Sequence, residues 1–222
     1  MKKLLLATAV AMPLMVSSAW ATVIFTLGNH PQPNEENILF GAAETGTIIN
    51  GLTNQSGIPV VFDTLTGQTL DQTAKGQADI TNSSGGQLTS MEMSAPGFTF
   101  EDAIMDLNFG TGSAHVVALA STGQTFDYNL GPGQNFLTLT TTGGETISDI
   151  KVTETAGTTG FGWNDFKQPR ISGLTAPLCP PGDIGAPPNC HPSEVLPEPT
   201  SLLILGSGIL GLGLALRRRR HQ

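Results

Sequence analysis

Charge is scarce in this chain: only 13% of its 222 residues are Asp, Glu, Lys or Arg. Basic residues are scarcer still between Thr22 and Glu198, where Lys75, Lys151, Lys167 and Arg170 face all 18 acids, a net charge of −14. A surface of that sign repels nucleic acid and anionic lipid, which removes both as partners of the central region. Divalent cations, cationic polymers and neutral sugars stay open, beside plain solubilising charge. There are two cysteines, Cys179 and Cys190, so no disulfide framework and no cysteine nucleophile serves the body upstream. His30 and His115 are the only histidines in that body, and neither Gly-x-Ser-x-Gly nor His-Glu-x-x-His occurs. No catalytic residue is assigned and no enzyme is expected.

Glycine (27 residues) is plentiful, as are Thr, Ser and Asn. Few helix formers and many β-branched or turn-forming residues favour short strands joined by tight turns. A hydrophobic share of 39% in regular clusters argues against disorder. Strand signals recur at 23–27, 59–62, 77–80, 88–93, 114–120, 125–130, 135–140, 146–154 and 170–174. Phe126, Tyr128 and Leu130 alternate with Asp127 and Asn129, as in a half-buried strand. Gly131-Pro132-Gly133 and Gly143-Gly144 mark turns. The expected body, 22–175, is all-β, an antiparallel sandwich of jelly-roll-like kind, with a helical turn within 100–109.

Both ends read as handling signals. Lys2 and Lys3 precede an apolar run from Leu4 to Val16, and Ala19-Trp20-Ala21 has the small-x-small form that signal peptidase cuts. Residues 1–21 are therefore expected to be a signal peptide, leaving Thr22 first. At the other end Ser201–Leu216 is uncharged, and its 16 residues rise about 24 Å as one transmembrane helix. Arg217, Arg218, Arg219 and Arg220 follow as a cytoplasmic stop, placing the body outside. Gly206, Gly208, Gly211 and Gly213 permit either close helix approach or a marginally stable span.

Before the span stands Pro197-Glu198-Pro199, whose prolines hold the backbone extended at the membrane face. Pro-Glu-Pro, Ser/Thr, a Leu/Gly-rich span and an arginine cluster, in that order over 197–221, resemble the PEP-CTERM sorting signal of Gram-negative bacteria. The resemblance implies recognition by exosortase with cutting near the tripeptide, Glu198 being a substrate residue. It also implies a host making extracellular polysaccharide, and a final address at the cell surface or in the matrix. The segments 28–33, 131–136 and 165–173 are similar to bodies in one group of such proteins, a likeness that brings no activity with it.

Between body and tag, 176–196 is a proline-rich spacer in which Cys179 and Cys190 are expected to close a small disulfide loop; a metal reading involving His191 has too few ligands. No cofactor is implied. Ca²⁺ is the one ion considered, through Asn34, Glu35, Glu36 and Asn37, or through Glu101, Asp102, Asp106 and Asn108. Trp163 is either a cap on the core edge or, with Tyr128, a platform for sugar. The sequence thus supports a non-catalytic surface or matrix protein. A carbohydrate- or calcium-binding module of the exopolysaccharide matrix is the second reading, and an extracellular hydrolase the third.

Overall fold

The computed structural model describes residues 21–72, 75–109, 113–133, 136–155 and 162–176, together with 178–179 and 191–192. Residues through Ala176 form one compact unit, and those from Pro177 a second. Within the described residues the first unit contains strands and turns and no helix. Its first eight strands are β1 (Thr22–Leu27), β2 (Glu36–Phe40), β3 (Glu44–Gly46), β4 (Ile48–Thr53), β5 (Pro59–Asp63), β6 (Leu70–Gln72), β7 (Gly76–Gln77) and β8 (Asp79–Asn82). Then come β9 (Ser90–Ser94), β10 (Asp102–Leu107), β11 (Ala114–Ala120), β12 (Thr125–Leu130), β13 (Phe136–Thr142), β14 (Ile147–Glu154) and β15 (Asp165–Ser172). In the second unit β16 (Leu178–Cys179) and β17 (His191–Pro192) pair in parallel.

The fifteen strands join in one antiparallel sheet, eleven of them along the path β1-β13-β10-β15-β2-β4-β5-β9-β14-β11-β12, with β7 on β2 and the chain β3-β6-β8 branching from β15. Strand β2 carries the chain from one half to the other. Its Glu36 and Asn37 pair with β15, and its Ile38 and Leu39 pair with β4. The halves then face each other across the core: Phe62 of β5 meets Phe166 of β15 edge-on, with centroids 5.8 Å apart, and also lies against Phe40. The ends of the path approach as well, since Phe25 of β1 stacks on Tyr128 of β12 at 5.7 Å. The sheet closes there through side chains rather than through a ladder of backbone bonds.

Alternation explains the local choices. Along β11, Ala114, Val116, Ala118 and Ala120 are buried while His115, Val117 and Leu119 are partly exposed. Strand β10 replaces the helical turn expected over 100–109. Ala103, Met105 and Leu107 face the core with a period of two, and β10 lies between β13 and β15 with both edges paired. Interior placement supplies two ladders, and that outweighs the helix propensity of Ala, Met and Leu. The strands β2, β3, β4 and β6 lie outside the expected segments, and β15 starts five residues before the expected one.

Trp163 is wholly buried, its ring edge-on to Phe109, and its backbone exchanges two hydrogen bonds with Leu88. Gly162 makes this bridge feasible, because a Cβ there would lie 1.7 Å from the Leu88 carbonyl oxygen. Gly162→Ala is expected to cost about 1–3 kcal/mol, as overpacking does, whereas Gly41→Ala, with open space around it, should be close to neutral. Urea unfolding of the two variants checks this.

Candidate functional site

One face of the sheet, turned away from the main core, gathers charge around β15. The cause is a bulge. Ile104 and Asp106 of β10, two residues apart, oppose Arg170 and Lys167 of β15, three apart. Gln168 absorbs the extra residue with φ 49° and donates its N–H to the Ala78 carbonyl at 3.0 Å. A bulge of this kind re-aims side chains, and here it brings both cations of β15 to the same face.

Arg170 works as a clamp. Its Nη1 donates to Glu35 Oε2 at 2.9 Å and its Nη2 to Asn29 Oδ1 at 2.9 Å. The pair is largely screened from water, with side-chain exposures of 15% and 12%. The same segment is tied at His30, whose backbone N–H donates to Thr138 Oγ1, and Thr138 Oγ1 in turn donates to the Gly28 carbonyl. Gly28 N–H also reaches the Phe136 carbonyl at 2.8 Å. The segment 28–35 therefore crosses the face at the level of Ile104, which opposes both Thr138 and Arg170 and is buried outside the core cluster. The segments 28–33 and 165–173, remote in the chain, meet at this corner together with Phe136.

Beside the clamp, Lys167 sits among carboxylates. Asp79 on β8 and Asp106 on β10 oppose it directly, one on each side. Its Nζ lies 3.1 Å from Asp165 Oδ2 and 3.8 Å from Asp79 Oδ1. Asn108 Nδ2 donates to the same Asp165 Oδ2 at 3.0 Å. Oδ1 of Asp79, of Asp106 and of Asp165 is buried without a hydrogen bond. Burial pushes the Asp79 carboxyl up, with the neighbouring Asp165 adding to it and Lys167 opposing. Burial and Asp165 likewise raise Asp106 against the pull of Lys167. Lys167 is held above its usual range, first by its bond to Asp165. The raised carboxyls hold protons that the unfolded chain gives up near 3.8, so they weaken the fold as pH climbs from there, and acidification relieves them.

Several of the oxygen donors considered for calcium have partners within the fold. Glu35 binds Arg170, and Glu36 accepts from Gln55 N–H, Ser56 N–H and Ser56 Oγ at 3.0, 2.7 and 3.0 Å. Asp102 accepts from Ser172 Oγ at 2.8 Å, and Asp106 and Asn108 belong to the Lys167 cluster. Among the described residues no group of three or more His, Cys, Asp or Glu is placed to hold a metal ion. Trp163 is core and offers no sugar platform, and Tyr128 is half-buried against Phe25. The exposed large apolar side chains among the described residues, such as Leu39, Ile48 and Leu52, are all aliphatic. His30 Nε2 bonds the Leu27 carbonyl, and His115 Nε2 lies 3.3 Å from Asp127 on an exposed face.

Ala21 immediately precedes β1, while Ala19 lies outside the described residues. So do Pro197, Glu198, Pro199, the span 201–216, Arg217, Arg218, Arg219 and Arg220. Cys179 is described by its backbone in β16 and Cys190 is not described. No helix among the described residues is long and apolar enough to cross a membrane.

Residues 195–220 match the PEP-CTERM protein-sorting motif. No curated protein matches the chain. Among solved structures, two point mutants of CBM29-2, a family 29 carbohydrate-binding module, are similar at a low level. One has 10% identity and a TM-score of 0.28, covering 74% of this chain and all of the module. The other has 13% identity and a TM-score of 0.24, covering 72% of this chain and 92% of the module.

Two outcomes follow from the geometry of this face. Arg170→Ala should cost about 2–3 kcal/mol, the scale of hydrogen bonds to charged groups, and hydrogen exchange should quicken over 28–36. For Glu36, burial alone would raise the carboxyl, but the bonds from Ser56, Gln55 and Thr53 outweigh it and hold it below 4.5. Its contribution is therefore present above that value and lost as pH falls through the lowered one. Glu36→Gln should lower the melting temperature at pH 7, with the gap to wild type narrowing in acid, as paired thermal melts will show.

Proposed function

We propose that this chain is an exported, non-catalytic protein that exosortase sorts to the cell surface or the extracellular polysaccharide matrix. The single observation that carries this is the PEP-CTERM protein-sorting motif over 195–220. In this reading residues 1–21 are a signal peptide cut after Ala21, with Ala19 and Ala21 filling the small-residue positions that signal peptidase requires. The precursor then spans the inner membrane once through 201–216, and Arg217 to Arg220 stay on the cytoplasmic side. Exosortase takes Pro197-Glu198-Pro199 as its substrate. A Cys179–Cys190 disulfide closes the spacer that holds a sandwich-like body off the membrane.

The body's part in this reading is physical. An all-β domain carrying 15 acids and four bases stays hydrated and resists non-specific association with anionic polymers. Its two histidines, His30 and His115, are engaged by the Leu27 carbonyl and by Asp127, which supports a role without catalysis. The absence of an exposed aromatic among the described residues gives sugar stacking no platform there, and no second reading is favoured.

Intact mass of the protein recovered from its own host tests the proposal. Loss of residues 1–21 and of the chain beyond about 197–200 is the expected result. A C-terminus that keeps its four arginines would make this a plain membrane-anchored protein and remove the exosortase step.

A further inference from the structure

The cluster around Lys167 is over-supplied with acid. One ammonium faces Asp79, Asp106 and Asp165, where one partner would complete an ion pair. Asp165 is 8% exposed, and its Oδ1, like those of Asp79 and Asp106, is buried with no hydrogen bond. A structural salt bridge gains nothing from two spare carboxylates that burial drives toward the neutral acid. An amine between a carboxylate that can take its proton and a carboxylic acid that can be attacked is, however, the reactant set of an amide condensation. Register brings these groups together. Lys167 and Asp79 are directly opposed on neighbouring antiparallel strands, so their side chains share a face with Cβ atoms about 4.5–5.5 Å apart. Nζ already lies 3.8 Å from Asp79 Oδ1.

We propose that Lys167 Nζ and Asp79 Cγ join in an isopeptide bond that staples β15 to β8. The ammonium passes one proton to the Asp79 carboxylate, giving a free amine beside a carboxylic acid. The amine lone pair adds to Cγ. Asp165 Oδ2, 3.1 Å from Nζ, accepts the second proton from nitrogen and returns it to the Asp79 hydroxyl, which leaves as water. One C–N bond forms, one C–O bond breaks, nothing is oxidised or reduced, and no activating group is consumed. Asp106, on the other flank, keeps the site's charge low when it is in its acid form. Condensation of a free acid and amine is slow between separate molecules, and fixing the two groups on paired strands removes part of that barrier. The body has no cysteine to cross-link it, and this bond would serve in that place.

Peptide mapping of the full chain purified from its host, after tryptic digestion, decides the matter. The expected product is a branched peptide joining the segment with Asp79 to the segment with Lys167, one water lighter than their sum, with no cleavage after Lys167. Lys167→Arg keeps the positive charge and Asp79→Ala removes the acceptor; each should restore the unlinked mass. Wild-type protein with a free Lys167 amine, cleaved by trypsin and open to acetylation, overturns the proposal. A link to Asp106 instead of Asp79 overturns the assignment of the partner.

Discussion

The bulge at Gln168 in β15 is the constraint on which the rest of this domain depends. Strand β15 touches three others, β10 along one edge and then β8 and β2 in succession along the other. Without the bulge, residues three apart such as Lys167 and Arg170 would lie on opposite faces of a regular strand, and one cation would point into a core of Phe62, Phe100 and Phe166. With it, Phe166 and Ile171 face inward while both cations face outward. The 28–35 segment then has an anchor, and the carboxylates of β8 and β10 have a counter-charge. Stability and charge placement are solved by the same residue.

The parts of the fold legible in the sequence were those with uninterrupted alternation. Thr125–Leu130 and Ala114–Ala120 are strands with the expected limits, the first because it alternates apolar with polar residues and the second because it is a short apolar run, each with a glycine turn close by. Strand β4 was hidden by Asn50 and Gly51, turn residues in its middle. Gly51 is required there by packing, since a Cβ would fall 2.5 Å from Ile38 Cγ2. Strand β2 was hidden by its acidic start, for Glu36 looked like loop when it is in fact the acceptor for the 55–56 turn. Strand β10 was hidden by the pair Ala103-Ile104, buried on opposite faces, which blurs a period of two.

The charged face was less legible. The acids were read in sequential groups, as if neighbours in the chain would be neighbours in space. Asp79, Asp106 and Asp165 come from three strands, and only sheet register brings them to Lys167. A signal did exist: Lys167 and Arg170 are two of four bases in an acidic body, so each had to draw acids from elsewhere. The sorting motif was legible in full because its information is linear. Residue order alone, Pro-Glu-Pro, an apolar run and an arginine cluster, makes it recognisable without a fold.

The two kinds of information separate cleanly, a body built by register and a tag built by order, and this is the central claim. Grafting residues 195–222 onto an unrelated exported reporter, expressed in the same host, tests it most directly. The account predicts that the reporter loses its arginines and leaves the inner membrane. A reporter that stays uncut in the inner membrane, while the native chain is processed beside it, would show that the body carries sorting information and would contradict the account.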